Sequence, residues 1–245
     1  VDNKITLKGM IIKVSPVGEK GKRLVLLTLE NGKVTVFANN AKKAGSSLLA
    51  ATNPFVFGSF EVYQGKNSYT LLKADIDDYF LEISENLDRT YYGFYFLEIC
   101  DYYCKENNDE TEVLKLLYQS IKALCTDKIE YKLIRRIFEL KLLVLNGEYP
   151  NVFSCVECGT KENLLAFSIR KDGCICKECA KLYGEDSKLL EATIYTMQFI
   201  VCQSIAKLYT FRVSEQVLLQ LEKIMDQYLR KYINYEKLNS YRFLS

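Results

Sequence analysis

Two Cys-x-x-Cys pairs, Cys155-Val156-Glu157-Cys158 and Cys176-Lys177-Glu178-Cys179, stand seventeen residues apart in this 245-residue chain. Each short turn offers two sulfurs to one centre, and a loop of this length lets the halves meet. The spacing therefore fits a tetrahedral four-thiolate zinc site on Cys155, Cys158, Cys176 and Cys179. The alternatives are two redox-active dithiols or four unconnected buried cysteines. Gly159 closes the first knuckle, and Asp172-Gly173 offers a turn between two short strands. Cys174 would break the Cys-x-x-Cys geometry and stays outside the ligand set. An ion held by four thiolates has no open position for water or substrate, so a structural role is expected rather than a catalytic one.

The sequence contains no histidine. That excludes Ser-His-Asp triads, Cys-His dyads, His-ligated metals and histidine general bases. An enzyme built on this chain would need carboxylates, lysines, tyrosines or a thiol. Asp75, Asp77 and Asp78 are the one carboxylate group that suggests a nuclease, and they read more simply as a solvated acidic turn ending a strand. The nine cysteines would suggest disulfides in a short secreted chain. Val1 to Met10 shows no signal pattern, however, and four of the cysteines already have ligand spacing, so a reducing, cytoplasmic protein is expected. Apolar runs such as Leu142 to Leu145 are far too short for a membrane span.

The net charge of +2 says little, but its distribution says more. Residues 1 to 74 carry eleven Lys or Arg against four Asp or Glu, a local balance of +7, which leaves −5 for the remainder. Such asymmetry suggests that the first segment meets a polyanion.

Along that segment, β-rich runs alternate with turn residues: Ile5 to Val14, Leu24 to Glu30, Lys33 to Ala38, Phe55 to Tyr63 and Ser68 to Ala74. Five strands at this spacing match an OB-fold barrel, with a sandwich fragment or an SH3-like barrel giving nearly the same signal. Glu30-Asn31-Gly32 and Gln64-Gly65-Lys66-Asn67 are the expected hairpin turns, and Gly9 and Gly58 mark bulges or barrel corners. Lys20, Lys22, Arg23, Lys42, Lys43 and Lys66 cluster in turns, and Phe37, Tyr63 and Tyr69 are rings on which bases could stack. Read blandly, the lysines form a solvated rim and the rings belong to the core.

Past Asp78 the hydrophobic period becomes helical. Helices are expected over 82 to 107, over a segment marked by Val113, Leu117, Ile121 and Leu124, over Ile129 to Asn146, and twice more after the cysteines. The fold class is thus α+β: an N-terminal OB-fold barrel, residues 1–80, then an α-helical domain, 81–245, with an inserted four-cysteine zinc knuckle at 150–183.

The order of these pieces resembles the bacterial recombination mediator RecO family. The resemblance rests on Leu7 to Lys13, the run Ala38-Asn39-Asn40-Ala41-Lys42-Lys43 with Ser46, Asn53-Pro54-Phe55 and Phe138 to Leu143 with Gly147 and Pro150. Cys155 to Gly159, Phe167-Ser168, Cys176 to Cys179 and Leu238 to Leu244 complete it, so nearly the whole chain is covered. Asn40 stands where relatives often have glycine, and it can also take positive φ. The basic pair is lysine where arginine is common, which keeps the charge but loses bidentate contacts. Some relatives lack the cysteines.

The resemblance implies a non-enzymatic DNA repair and recombination protein. Such a protein binds single- and double-stranded DNA, anneals complementary strands, contacts the acidic tail of single-strand-binding protein and joins RecR to help load RecA. Under that reading Lys8, Lys13, Lys20, Lys22, Arg23, Lys42, Lys43 and Lys66 are the expected backbone contacts, Lys42 and Lys43 falling on the family's basic run. Arg212, Lys223, Arg230 and Lys231 are candidates for the tail. A zinc-stabilised RNA-binding or transcription-associated adaptor is the competing class.

Overall fold

The structure, a computed structural model, describes residues 3–66, 68–183 and 188–244. It divides into two compact units, Val1–Cys125 with Ser240–Ser245, and Thr126–Asn239.

The first unit is built on five strands: β1 (Lys4–Val17), β2 (Gly21–Thr28), β3 (Gly32–Ala38), β4 (Phe57–Gln64) and β5 (Tyr69–Asp78), with a four-residue helix α1 (Leu48–Ala51) between β3 and β4. They close into a barrel in the order β1-β2-β3-β5-β4, all neighbours antiparallel except β3 and β5. Alternation explains the core. Leu7, Ile11, Leu24, Leu26, Val34, Val36, Phe60, Val62 and Leu71 point inward and pack together, while their sequence neighbours face out. Gly9 lies directly opposite Gly58 across β1 and β4, and the strands crowd there: a Cβ on Gly9 would strike the Leu27 carbonyl. The β4–β5 register shifts between Phe57 and Gly58, the local irregularity a barrel uses to bend.

The Asn31-Gly32 hairpin forms as its sequence suggests, with Gly32 at φ 60°. In the Gln64 to Asn67 turn the Gly65 N–H donates to Ser68 O at 2.9 Å; Asn67 lies outside the described residues. The acidic segment 75–78 is not a terminal turn. β5 runs through it to Asp78, because the ladder with β4 continues, Asp75 opposite Ser59, Ile76 opposite Gly58 and Asp78 opposite Phe57; Lys8 pairs with Asp77 and Asp78 Oδ1 accepts from the Phe80 N–H at 2.9 Å.

The expected helix over 82 to 107 is a 3-10 turn, Leu81–Glu85, followed by α2 (Leu87–Tyr103). Asn86 interrupts them, its side chain capping α2 by accepting from the Arg89 N–H at 3.0 Å. Next comes α3 (Thr111–Cys125). Both helices pack against the barrel, α2 on β1 and α3 on β1 and β2. They cover the outward residues Met10, Val25 and Leu27, which are buried although they lie outside the barrel interior.

The second unit is centred on α4 (Tyr131–Leu145), in which every residue from Leu133 to Leu143 is buried. The wide apolar stripe accounts for that position, but four charged residues are carried in with it. Arg135 Nε and Arg136 Nη1 donate to the two oxygens of Glu139 at 2.8 and 2.9 Å, and Arg136 also meets Asp226 at 2.7 Å. Lys141 Nζ donates to the carbonyls of Ile200, Val201 and Gln203, the last at 2.7 Å. It thereby satisfies the end of α6 (Glu191–Cys202), which precedes α7 (Glu215–Leu229). Between α4 and α6 lie β6 (Leu164–Ser168), β7 (Gly173–Cys176) and α5 (Lys177–Tyr183). Among the described residues no helix is long and apolar enough to cross a membrane.

Candidate nucleic-acid interface and metal centre

β6 and β7 form an antiparallel hairpin that delivers the second cysteine pair, Cys176 at the end of β7 and Cys179 in the first turn of α5. The first pair comes from the knuckle, where Gly159 at φ 78° lets its N–H return to Cys155 O at 2.9 Å. Gly173 sits where the two halves meet. A Cβ there would lie 2.5 Å from both Asn151 O and Val156 Cγ1, so the close approach requires glycine.

The result is that the sulfurs of Cys155, Cys158, Cys176 and Cys179 all lie within 4.8 Å of one another. Cys158 Sγ and Cys176 Sγ are 3.7 Å apart, against about 3.8 Å for two sulfurs on a tetrahedral ion with 2.3 Å bonds. All nine cysteines are free. Burial pushes the Cys155 thiol up, but backbone N–H groups of Cys176, Cys158 and Glu157 outweigh it and bring the thiol down to about 6. Amides aimed at a sulfur favour the thiolate, the form that binds metal. Burial pushes Cys179 up to about 12, as it does Cys174, so geometry draws the ligand set: Cys174 is fully buried and is not one of the four gathered sulfurs.

The hairpin is fastened to its neighbours by polar and aromatic contacts. Tyr228 meets Phe167 edge to face at 5.9 Å and donates to Glu148 O at 3.0 Å. Lys231 donates to Ile169 O at 3.2 Å and pairs with Asp172. Lys231 thus has a structural use, as do Arg212, whose Nε donates to Lys128 O at 2.8 Å, and Arg230, over the Tyr235 ring at 5.7 Å. Of the four cations expected to meet an acidic tail, only Lys223 is exposed and has no hydrogen bond, ion pair or ring contact among the described residues.

On the barrel, the expected DNA contacts fall into two groups. Lys8 is turned to Asp77. Lys13 and Lys33 both hold Asp101, at 2.8 and 3.2 Å; burial pushes Asp101 up, but those cations outweigh it and keep the carboxyl below its usual range. Lys22 is 9 % exposed, and its Nζ donates to Thr52 O and Asn53 Oδ1, each at 3.0 Å. Burial, helped by the charge of Lys42, holds its ammonium below the ordinary lysine value. These contacts close the chain just after α1, whose free carbonyls need a donor. Lys22 is therefore a structural residue and not an exposed phosphate contact. Replacing it with methionine is expected to cost about 1–3 kcal/mol of stability while leaving the salt dependence of nucleic-acid binding as in the parent; denaturant unfolding and binding titrations check both.

The remaining cations, Lys20, Arg23, Lys42, Lys43 and Lys66, are exposed. Topology brings their segments to one end of the barrel. The β1–β2 tip, the loop after β3 and the β4–β5 turn all leave the sheet there, since Lys22 pairs with Ala38, Phe37 with Thr70 and Gln64 with Tyr69. The Lys42 N–H donates to Lys20 O at 3.0 Å, joining two of these loops. Asn40 does adopt positive φ, 58°, and turns the chain into the Lys42-Lys43 pair. No ion pair holds these five side chains among the described residues, so the barrel presents a cationic end.

Comparison with known proteins finds one family over both parts of the chain. Residues 3–80 match the family model for the recombination protein O N terminal, and residues 84–242 that for the recombination protein O C terminal. The DNA repair protein RecO of Acetivibrio thermocellus is 30% identical over 97% of this chain and 96% of its own length. That of Alkaliphilus metalliredigens is 27% identical over 96% of each, and that of Bacillus pumilus 30% over 93% of this chain and 89% of its own.

Proposed function

Because the chain belongs to the recombination protein O family of DNA repair proteins, we propose that it works by holding DNA strands, without breaking bonds in them. In this reading residues 1–80 are the DNA-binding module and 81–245 the helical partner domain, with residues 150–183 a zinc-bearing insertion. The protein anneals complementary single strands and, together with RecR, helps RecA onto strands coated by single-strand-binding protein, whose acidic tail it contacts. It does so in the cytoplasm, at the nucleoid.

The observation that carries this reading is the gathering of Lys20, Lys42, Lys43 and Lys66 on adjoining loops, with Arg23 near them on β2. Annealing requires a surface that neutralises phosphate repulsion and leaves base edges free to pair. Exposed ammonium groups on short loops meet both conditions. The zinc ion would be held by Cys155, Cys158, Cys176 and Cys179 and would supply a crosslink between the two knuckles, not a reactive centre. Of the three carboxylates that suggested a nuclease, Asp77 is engaged by Lys8 and Asp78 by the Phe80 N–H.

Mixing complementary oligonucleotides with the protein at low salt, magnesium present, tests the proposal. Duplex is expected to form faster than without protein, and both strands to be recovered intact. Cleaved strands, or renaturation no faster than in buffer, would overturn it.

A further inference from the structure

The barrel wall carries a second feature beneath the cationic loops. Five residues on adjacent strands lie directly opposite one another in register: Arg23 with Phe37, Phe37 with Thr70, Thr70 with Tyr63, and Tyr63 with Lys4. All five face outward, since their sequence neighbours Leu24, Val36, Ala38, Leu71, Val62 and Ile5 pack in the barrel core. They form one row running across β2, β3, β5, β4 and β1.

This row is not covered as the wall beneath α2 and α3 is. Met10, Val25 and Leu27, outward on β1 and β2, are buried where α2 and α3 pack on those strands. Tyr63, by contrast, is 46% exposed, Arg23 and Lys4 are exposed, and Phe37 and Thr70 are half-buried. The Tyr63 ring, and part of the Phe37 ring, are therefore open to a ligand on the outer wall. The row also lies close to the loops. β3 ends at Ala38, β4 at Gln64, and β5 begins at Tyr69, so each ring is one residue from a strand end.

We propose that this row is a stacking platform for a single nucleic-acid strand, with Phe37 and Tyr63 taking base faces while Arg23 and Lys4 take the flanking phosphates. The inference rests on the reading of the barrel as the DNA-binding module and adds what that reading lacks, a means of preferring single strands. Loop lysines grip the phosphates of single strands and duplex alike. Rings accept a base face only when the base has left its neighbours, which a duplex does not allow. Phe37 and Tyr63 stand two strand spacings apart, about 10 Å, with the small Thr70 between them, so two bases of one strand can meet separate rings. Stacking covers the face of a base and leaves its pairing edge free, so the platform is compatible with annealing.

The chain has no tryptophan, which makes a direct optical test available. Tyr63→Trp introduces the sole indole; its fluorescence is expected to be quenched by a short oligothymidylate and left unchanged by a blunt duplex of the same length. Tyr63→Ala is expected to weaken single-strand binding by roughly 5- to 150-fold, with duplex binding and the salt dependence both unchanged. An indole that oligothymidylate does not quench, or a Tyr63→Ala variant that loses duplex and single-strand affinity alike, would overturn the platform. Loss of binding on reversing the loop lysines, with Tyr63→Ala unaffected, would reject the platform while leaving the DNA-binding reading intact. A wild-type protein that binds neither form would remove both.

Discussion

Replacing Cys155 with serine is expected to abolish metal binding and unfold the cysteine hairpin. The hairpin's own core consists of Cys155, Ala166, Ile175, Cys176, Cys179 and Ala180. Three of those six are ligands and two are alanines, so little apolar surface remains to hold it once the ion is gone. Structural four-ligand zinc sites have apparent binding free energies of about 10–16 kcal/mol, far more than such a core could replace. Hydrogen exchange should show residues 150–183 losing protection, and the loss should spread to α7 through the Phe167 and Asp172 contacts with Tyr228 and Lys231. Should the variant fail to accumulate, chelation of the wild-type protein gives the same readout; unchanged protection after the metal is stripped would contradict a structural role.

Acid should act in the same direction. Cys155 has a folded-state value near 6, below that of an ordinary thiol. Its thiolate therefore contributes stability that is complete above the ordinary thiol range and is lost as pH falls through about 6. Metal binding needs the thiolates, so metal retention is expected to fall as the pH is lowered, as metal analysis after dialysis would show.

The other large effect concerns the loops. Reversing Lys20, Lys42, Lys43 and Lys66 together to glutamate is expected to lower DNA affinity on the order of a thousand-fold at low salt, taking about 1 kcal/mol for each lost phosphate contact. All four are exposed, so folding should be little changed. Reversing Lys8 and Lys13 instead should do the opposite. Those two neutralise Asp77 and Asp101, and placing glutamate beside them would destabilise the barrel more than it weakens binding.

That contrast shows what could be read from residue order alone. The four-cysteine cluster was legible because its geometry is local: two knuckles, each closed within four residues, and a turn that brings them together. The strands were legible from alternation and from Asn31-Gly32. The partners of individual lysines were not, because they depend on distant parts of the chain. Lys13 meets Asp101 across a separation of 88 residues, and nothing near Lys13 announces it. Lys22 reads as one more cation in a basic turn, yet it is drawn inward by the end of a helix too short to show a period. The same holds for Lys141, and for Arg135, Arg136 and Glu139, whose positions on a buried helix are explained only once each has found its carbonyl or counter-ion.

The packing of α2 and α3 against the barrel was equally hidden. The apolar residues of these helices state that they are covered, not by what. The outward-facing Val25 and Leu27 hold the complementary half of that information, and only the assembled strand register joins the two.

The most direct measurement is the dependence of single-strand DNA affinity on salt. If the loop lysines neutralise phosphates, the logarithm of the wild-type binding constant should fall steeply and linearly with the logarithm of salt concentration. The four-lysine reversal should make that slope shallower by about 3. A wild-type binding constant that stays flat from low to moderate salt would contradict the assignment of the cationic barrel end to DNA.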